Sequence, residues 1–87
     1  MLEKVQQLSD SITGEQYRRV QSALGENLFD LLEHAFDSED EDQAKERVKA
    51  FISEAKNHKL RVLKMRRIFT SDQQSLLVDL WEANAGN

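Results

Sequence analysis

Apolar residues recur three and four positions apart through most of this chain, the spacing that lines one face of an α-helix. The longest such stripe is Tyr17, Val20, Leu24, Leu28, Leu31, Leu32, Ala35 and Phe36. It runs for about five turns and predicts a central core helix that starts near Thr13, where Thr13 and Gln16 have the spacing of a capping box. Gly25 interrupts the stripe. A glycine inside a helix costs roughly 1 kcal/mol relative to alanine, so a kink or a close helix crossing is expected there. Upstream, Leu2, Val5 and Leu8 mark a short helix over residues 2–9, with Ile12 following as a staple residue.

Downstream, Ser38 and Glu41 repeat the capping-box spacing, and the acids Glu39, Asp40, Glu41 and Asp42 fall at the positive end of a helix dipole. The helix they begin turns Ala44, Val48, Phe51, Ile52 and Ala55 to the core and brings Lys56 and Lys59 to its negative end. Residues 60–69 fit either a short helix or, at Leu60-Arg61-Val62, a strand. Helix is the expectation, because nothing else in the chain alternates and a lone strand leaves its backbone polar groups unpaired. A last helix begins at Thr70 or Ser71, with Leu76, Leu77, Leu80 and Trp81 facing the core, and residues 84–87 are expected to fray. The chain has no proline, and its three glycines stand at 14, 25 and 86, so it lacks the punctuation of a many-turned β fold. The expected fold is all-α, a compact bundle of four or five helices forming a single domain over residues 1–87.

Eighty-seven residues, 39% of them hydrophobic, suffice for one compact core but leave little room for a deep pocket beside it. The absence of cysteine excludes disulfides, thiol nucleophiles and cysteine-ligated metal centres, and a cytoplasmic location is the default expectation. No apolar run is long enough for a signal peptide or a membrane span, so no membrane association is expected. Charge changes the picture more. Residues 1–44 carry eleven Asp/Glu against three Lys/Arg, and residues 45–87 nine Lys/Arg against five Asp/Glu. The net charge of −4 thus conceals an acidic half of −8 and a basic half of +4. Poles of this kind steer charged partners over about one Debye length, roughly 8–10 Å.

Catalytic chemistry finds little support. His34 and His58 lie twenty-four residues apart on different predicted elements, which does not suit zinc, and the Asp40–Asp42 alternation lacks the central glycine and terminal glutamate of a calcium loop. No phosphate-binding glycine loop, nucleophile elbow or cofactor motif occurs, so neither an enzyme nor a cofactor is expected. The basic segment is the main candidate site. Lys56, Lys59, Arg61, Lys64, Arg66 and Arg67 form a ridge with no carboxylate between Glu54 and Asp72, and Phe29 falls off its helix's main apolar stripe. These seven residues are expected to contact a protein partner, in a regulatory, adaptor or inhibitory role. A nucleic-acid-binding module using residues 56–67 is the alternative, although the helix after it carries Asp72, Asp79 and Glu82 and no Lys or Arg. A third reading leaves the ridge as a solvated face or pairs it with the acidic run of the same chain. The two poles are also compatible with a homo-oligomer.

Overall fold

In a computed structural model, which describes residues 1–85, every apolar stripe is wound into helix. The elements are α1 (Leu2–Ser11), α2 (Gly14–Leu24), α3 (Glu26–Phe36), α4 (Glu41–Ala55), α5 (Lys59–Ile68) and α6 (Ser71–Ala85). Among the described residues there is no strand, and the ambiguous segment 60–69 is the helix α5 with its C-terminal turn. Among the described residues no helix is long and apolar enough to cross a membrane.

The described residues form six helices rather than the expected four or five because the long central stripe is broken at Gly25. Its φ of 80° and ψ of 169° lie in a region essentially restricted to glycine. The Gly25 N–H donates to the Gln21 carbonyl at 3.0 Å and its carbonyl accepts from the Phe29 N–H at 3.0 Å. One residue therefore ends α2 and begins α3. Leu24 and Leu28 keep helical spacing across the corner and both stay buried, so the periodicity gives no sign of the break.

Helix starts also differ from expectation. Thr13 occupies the N-cap of α2 without a side-chain cap bond, and Asp40, not Ser38, caps α4. Asp40 Oδ1 accepts from the Gln43 N–H at 2.8 Å, while Gln43 Oε1 accepts from the Glu39 N–H at 2.9 Å. Ser38 is buried and donates its hydroxyl to the Ala35 carbonyl. At α6 the box is complete: Thr70 Oγ1 accepts from the Gln73 N–H and Gln73 Oε1 accepts from the Thr70 N–H. That helix continues through Ala85, into the stretch 84–87 expected to fray, of which residues 86 and 87 lie outside the described residues.

Packing pairs α3 with α4, α2 with α5 and α1 with α6, giving a body of 29 × 26 × 21 Å. Val5, Leu8, Val20, Leu24, Leu28, Ile52 and Met65 are fully enclosed at its centre. Of the expected α6 core, Leu77 and Leu80 are buried, whereas Leu76 and Trp81 are half-buried, Trp81 meeting the Phe51 ring edge-on at 6.3 Å. A polar node closes one end. The buried Gln73 amide lies within hydrogen-bonding distance of the Ser11 carbonyl and hydroxyl and pairs reciprocally with Gln16, tying the end of α1, the start of α2 and the α5–α6 turn. Gln16, expected to cap its own helix, thus serves a tertiary contact.

Phe29 is 3% exposed and packs edge-to-face on Tyr17 with ring centroids 5.1 Å apart. Its expected place on a partner surface is therefore corrected: it belongs to a wide core face. The Tyr17 hydroxyl donates to Glu33 Oε2. This hydrogen bond, with smaller contributions from burial and from the Glu33 and Asp37 charges, pushes the phenol pKa from 10.0 up to about 12.

Two tests follow from this packing. Leu24→Ala, Leu28→Ala and Phe51→Ala each lower the unfolding free energy by about 2–5 kcal/mol in denaturant titrations. Gly25→Ala lowers it by about 1–3 kcal/mol through backbone strain alone. In the second, the phenolate absorbance of Tyr17, the sole tyrosine, titrates near pH 12 in the folded protein. Glu33→Gln returns it toward about 10. Because the folded pKa is raised, the stability from this contact is complete below pH 10 and is lost as pH rises toward 12.

Candidate functional site

Helix α5 carries most of the basic segment and has little local reason to form. It starts at His58 without a side-chain cap bond, no acid stands in its first turn, and Lys59 and Arg61 oppose the positive end of its dipole. Tertiary packing holds it. Met65 is completely buried, Phe69 closes the C-terminus, and Val62 and Ile68 are half-buried as the helix packs on α2. Met65 is thus the helix's anchor.

The opposite face is left to solvent. At about 100° per residue, Lys59, Leu60, Leu63, Lys64, Arg66 and Arg67 share one arc of roughly 160°. All six are exposed, Leu60 by 76% and Leu63 by 43%. Fully burying a leucine is worth about 1.5–3 kcal/mol, so these two side chains represent unrealised binding energy on a strongly cationic face.

The six cations of the sequence ridge do not act as one. Lys64 and Arg67 lie with Leu60 on the outer face. Lys56, Lys59 and Arg66 line a hollow of about 240 Å³ with Leu63 and Trp81. Arg61 is exposed over much of its length but reaches across to the α2–α3 corner, its Nη1 donating to the Leu24 carbonyl at 3.3 Å. A Cβ on Gly25 would stand 2.5 Å from that nitrogen. Arg61 is therefore partly committed to the fold.

A larger hollow of about 420 Å³ adjoins the first, floored by Val62, Leu77 and Trp81 and edged by Val78, Arg66 and Glu82. Val62, Arg66 and Trp81 belong to both, so the two form one groove between α5 and α6. The helices diverge because α5 packs on α2 and α6 on α1 from a fixed corner. Gln74 Nε2 holds that corner by donating to the Arg66 and Phe69 carbonyls. Periodicity could have separated Leu60 and Leu63 from Met65 and Phe69 as two faces. It could not have shown Val78 and Trp81 lining a groove, which depends on how far two helices splay.

Internal pairing does not neutralise the basic segment. Among the described residues the ion pairs join the Met1 amino group to Glu41 at 2.8 Å and Lys4 to Asp79 at 2.7 Å, while the His58 ring Nε2 lies 3.2 Å from Glu54 Oε1. None links the basic ridge to the acidic run. The acids have local work instead: Asp40 caps α4, and Glu41 accepts from both the Met1 amino group and the Leu2 N–H, contacts that lower its pKa. Among the described residues no three metal-ligating side chains gather at one point. No family model matches the chain, no curated protein matches it significantly in sequence, and no solved structure matches it significantly in fold.

Single substitutions separate the committed arginine from the surface cations. Arg61→Ala lowers stability by about 0.5–1.5 kcal/mol through loss of its bond to the Leu24 carbonyl. Lys64→Ala and Arg67→Ala stay within about 0.5 kcal/mol of the wild type in the same denaturant titration.

Proposed function

We propose that this protein is a small cytoplasmic binding protein, regulatory, adaptor or inhibitory in role, which catalyses no reaction and docks another protein on its α5 surface. The observation that carries this reading is the exposure of Leu60 and Leu63 beside Lys59, Lys64, Arg66 and Arg67, none of which forms an ion pair among the described residues. An apolar centre ringed by Arg and Lys suits a protein interface, where buried apolar contacts supply lifetime and charges supply orientation. A phosphate backbone would engage the cations but leave both leucines without apolar contact. The helix that follows α5 also opposes nucleic acid, since it presents Asp72, Asp79 and Glu82 and no Lys or Arg.

The test is co-purification from the native cell with and without nuclease, paired with titration of mixed-sequence DNA and RNA at two salt concentrations. A protein stays bound after nuclease, and Leu60→Ser with Lys64→Glu weakens its binding about tenfold or more while the melting curve is unchanged. Duplexes bind more weakly than about micromolar near physiological salt. Micromolar or tighter nucleic-acid affinity that falls steeply with salt and vanishes in Lys64→Glu/Arg67→Glu overturns the proposal in favour of the nucleic-acid reading.

A further inference from the structure

The groove between α5 and α6 is chemically distinct from the outer face of α5. Its floor is apolar and contributed by both helices, and the polar side chains edging its larger hollow are Arg66 and Glu82. That is too few convergent polar groups to orient a small polar metabolite, although about 420 Å³ falls within the range of roughly 300–1,000 Å³ for ligand clefts. Along α6 the lining residues Leu77, Val78, Trp81 and Ala85 extend over two helical turns, about 12 Å at 1.5 Å per residue. An apolar trough of this length between two helices is the form that receives the apolar face of a third, anchored at positions i, i+3 or i+4, and i+7.

Charge selects which helix. Lys56, Lys59 and Arg66 stand on the α5 side, and no carboxylate among the described residues pairs with them. Glu82 is the lone acid on the groove's lining. A second copy of this chain is a poor occupant. Two-fold pairing across this face would set the three cations against themselves. Head-to-tail pairing would offer the acidic run 39–42, whose Asp40 and Glu41 are engaged in capping and in holding the Met1 amino group. The exposed large apolar side chains are Leu60, Leu63 and Val78, all on α5 or α6, so that run brings none to fill the trough.

We infer that the α5–α6 groove binds an amphipathic helix with acidic flanks, belonging to a different protein, and that Trp81 forms the floor of its main anchor pocket. The inference rests on the protein-binding reading and specifies its partner. Acidic residues of the incoming helix pair with Lys56, Lys59 and Arg66, and its apolar face covers Val62, Leu77, Val78 and Trp81.

Trp81 is the sole tryptophan and reports on the groove directly. The probe is a synthetic peptide with leucine at i, i+3, i+4 and i+7 and glutamate elsewhere. Its controls are the same peptide with lysine replacing glutamate and one with the leucines scrambled. The acidic amphipathic peptide produces a saturable blue shift of Trp81 fluorescence, and both controls bind about tenfold or more weakly. Val78→Glu and Lys59→Glu/Arg66→Glu, all at exposed positions, each weaken the probe about tenfold or more, whereas Leu60→Ser stays within about threefold. Melting curves confirm that the variants fold. Absence of a saturable shift, equal binding of the lysine peptide, or binding that survives Val78→Glu overturns the groove assignment. Those results leave docking on the outer face standing, because that reading is decided by Leu60→Ser against the native partner.

Discussion

The backbone conformation of Gly25 is the constraint on which the rest of the architecture depends. With φ at 80° and ψ at 169°, the position admits no ordinary side chain without strain of about 1–3 kcal/mol. The corner divides an eight-residue apolar stripe into two helices with different neighbours, α2 against α5 and α3 against α4. It also leaves the Leu24 carbonyl at a helix end within reach of Arg61, whose guanidinium occupies the space where a Cβ would lie. The direction of α5 is set at this corner and at the Thr70–Gln73 box, and the surface that α5 presents follows from both.

That surface is built on a helix with limited internal support. Met65 is the one fully enclosed residue of α5, and the helix start has neither a cap bond nor a favourable charge. Segments of this kind belong to the low-stability end of a fold, where local opening takes less than the global unfolding free energy. A partner of the proposed kind, burying Leu60, Leu63 or the groove floor, would cover apolar side chains that the isolated chain leaves exposed or half-buried. Under the proposed binding role, occupation of this surface would raise the stability of the domain by mass action.

Periodicity made the helices legible because each buries a face at regular spacing: Val5 and Leu8 in α1, Val48, Phe51 and Ile52 in α4, Leu77 and Leu80 in α6. It could not reveal the Gly25 corner, since Leu24 and Leu28 remain in phase across it. The α4 cap was misplaced because Ser38 and Asp40 both carry an acceptor ahead of the same helix, and burial of Ser38 decided between them. Phe29 looked like a surface residue because one narrow stripe was assumed, whereas Tyr17 and α3 widen the core around it. The basic residues were legible as a group but not as separate functions. Only the tertiary placement of α2 gives Arg61 the Leu24 carbonyl to bond, and only the position of α6 makes Lys59 and Arg66 the edge of a groove.

The charge asymmetry has two unequal causes. Much of the acidic pole is accounted for within the chain: Asp40 caps α4, Glu41 and Asp42 stand in its first turn, and Glu41 also holds the start of α1. The basic pole has less internal explanation, since among the described residues Arg61 alone of its six cations makes a side-chain hydrogen bond to the fold. Solvated cations increase encounter rates with acidic partners over roughly 8–10 Å, an effect that salt weakens. They contribute little to the lifetime of a complex, which depends on desolvated apolar contacts. Leu60 on one side of the cations and the Trp81 groove on the other place those contacts next to the steering field. In the proposed role, that arrangement would join rapid encounter with an acidic surface to retention that requires an apolar one, and a partner offering either feature alone would gain only half of it.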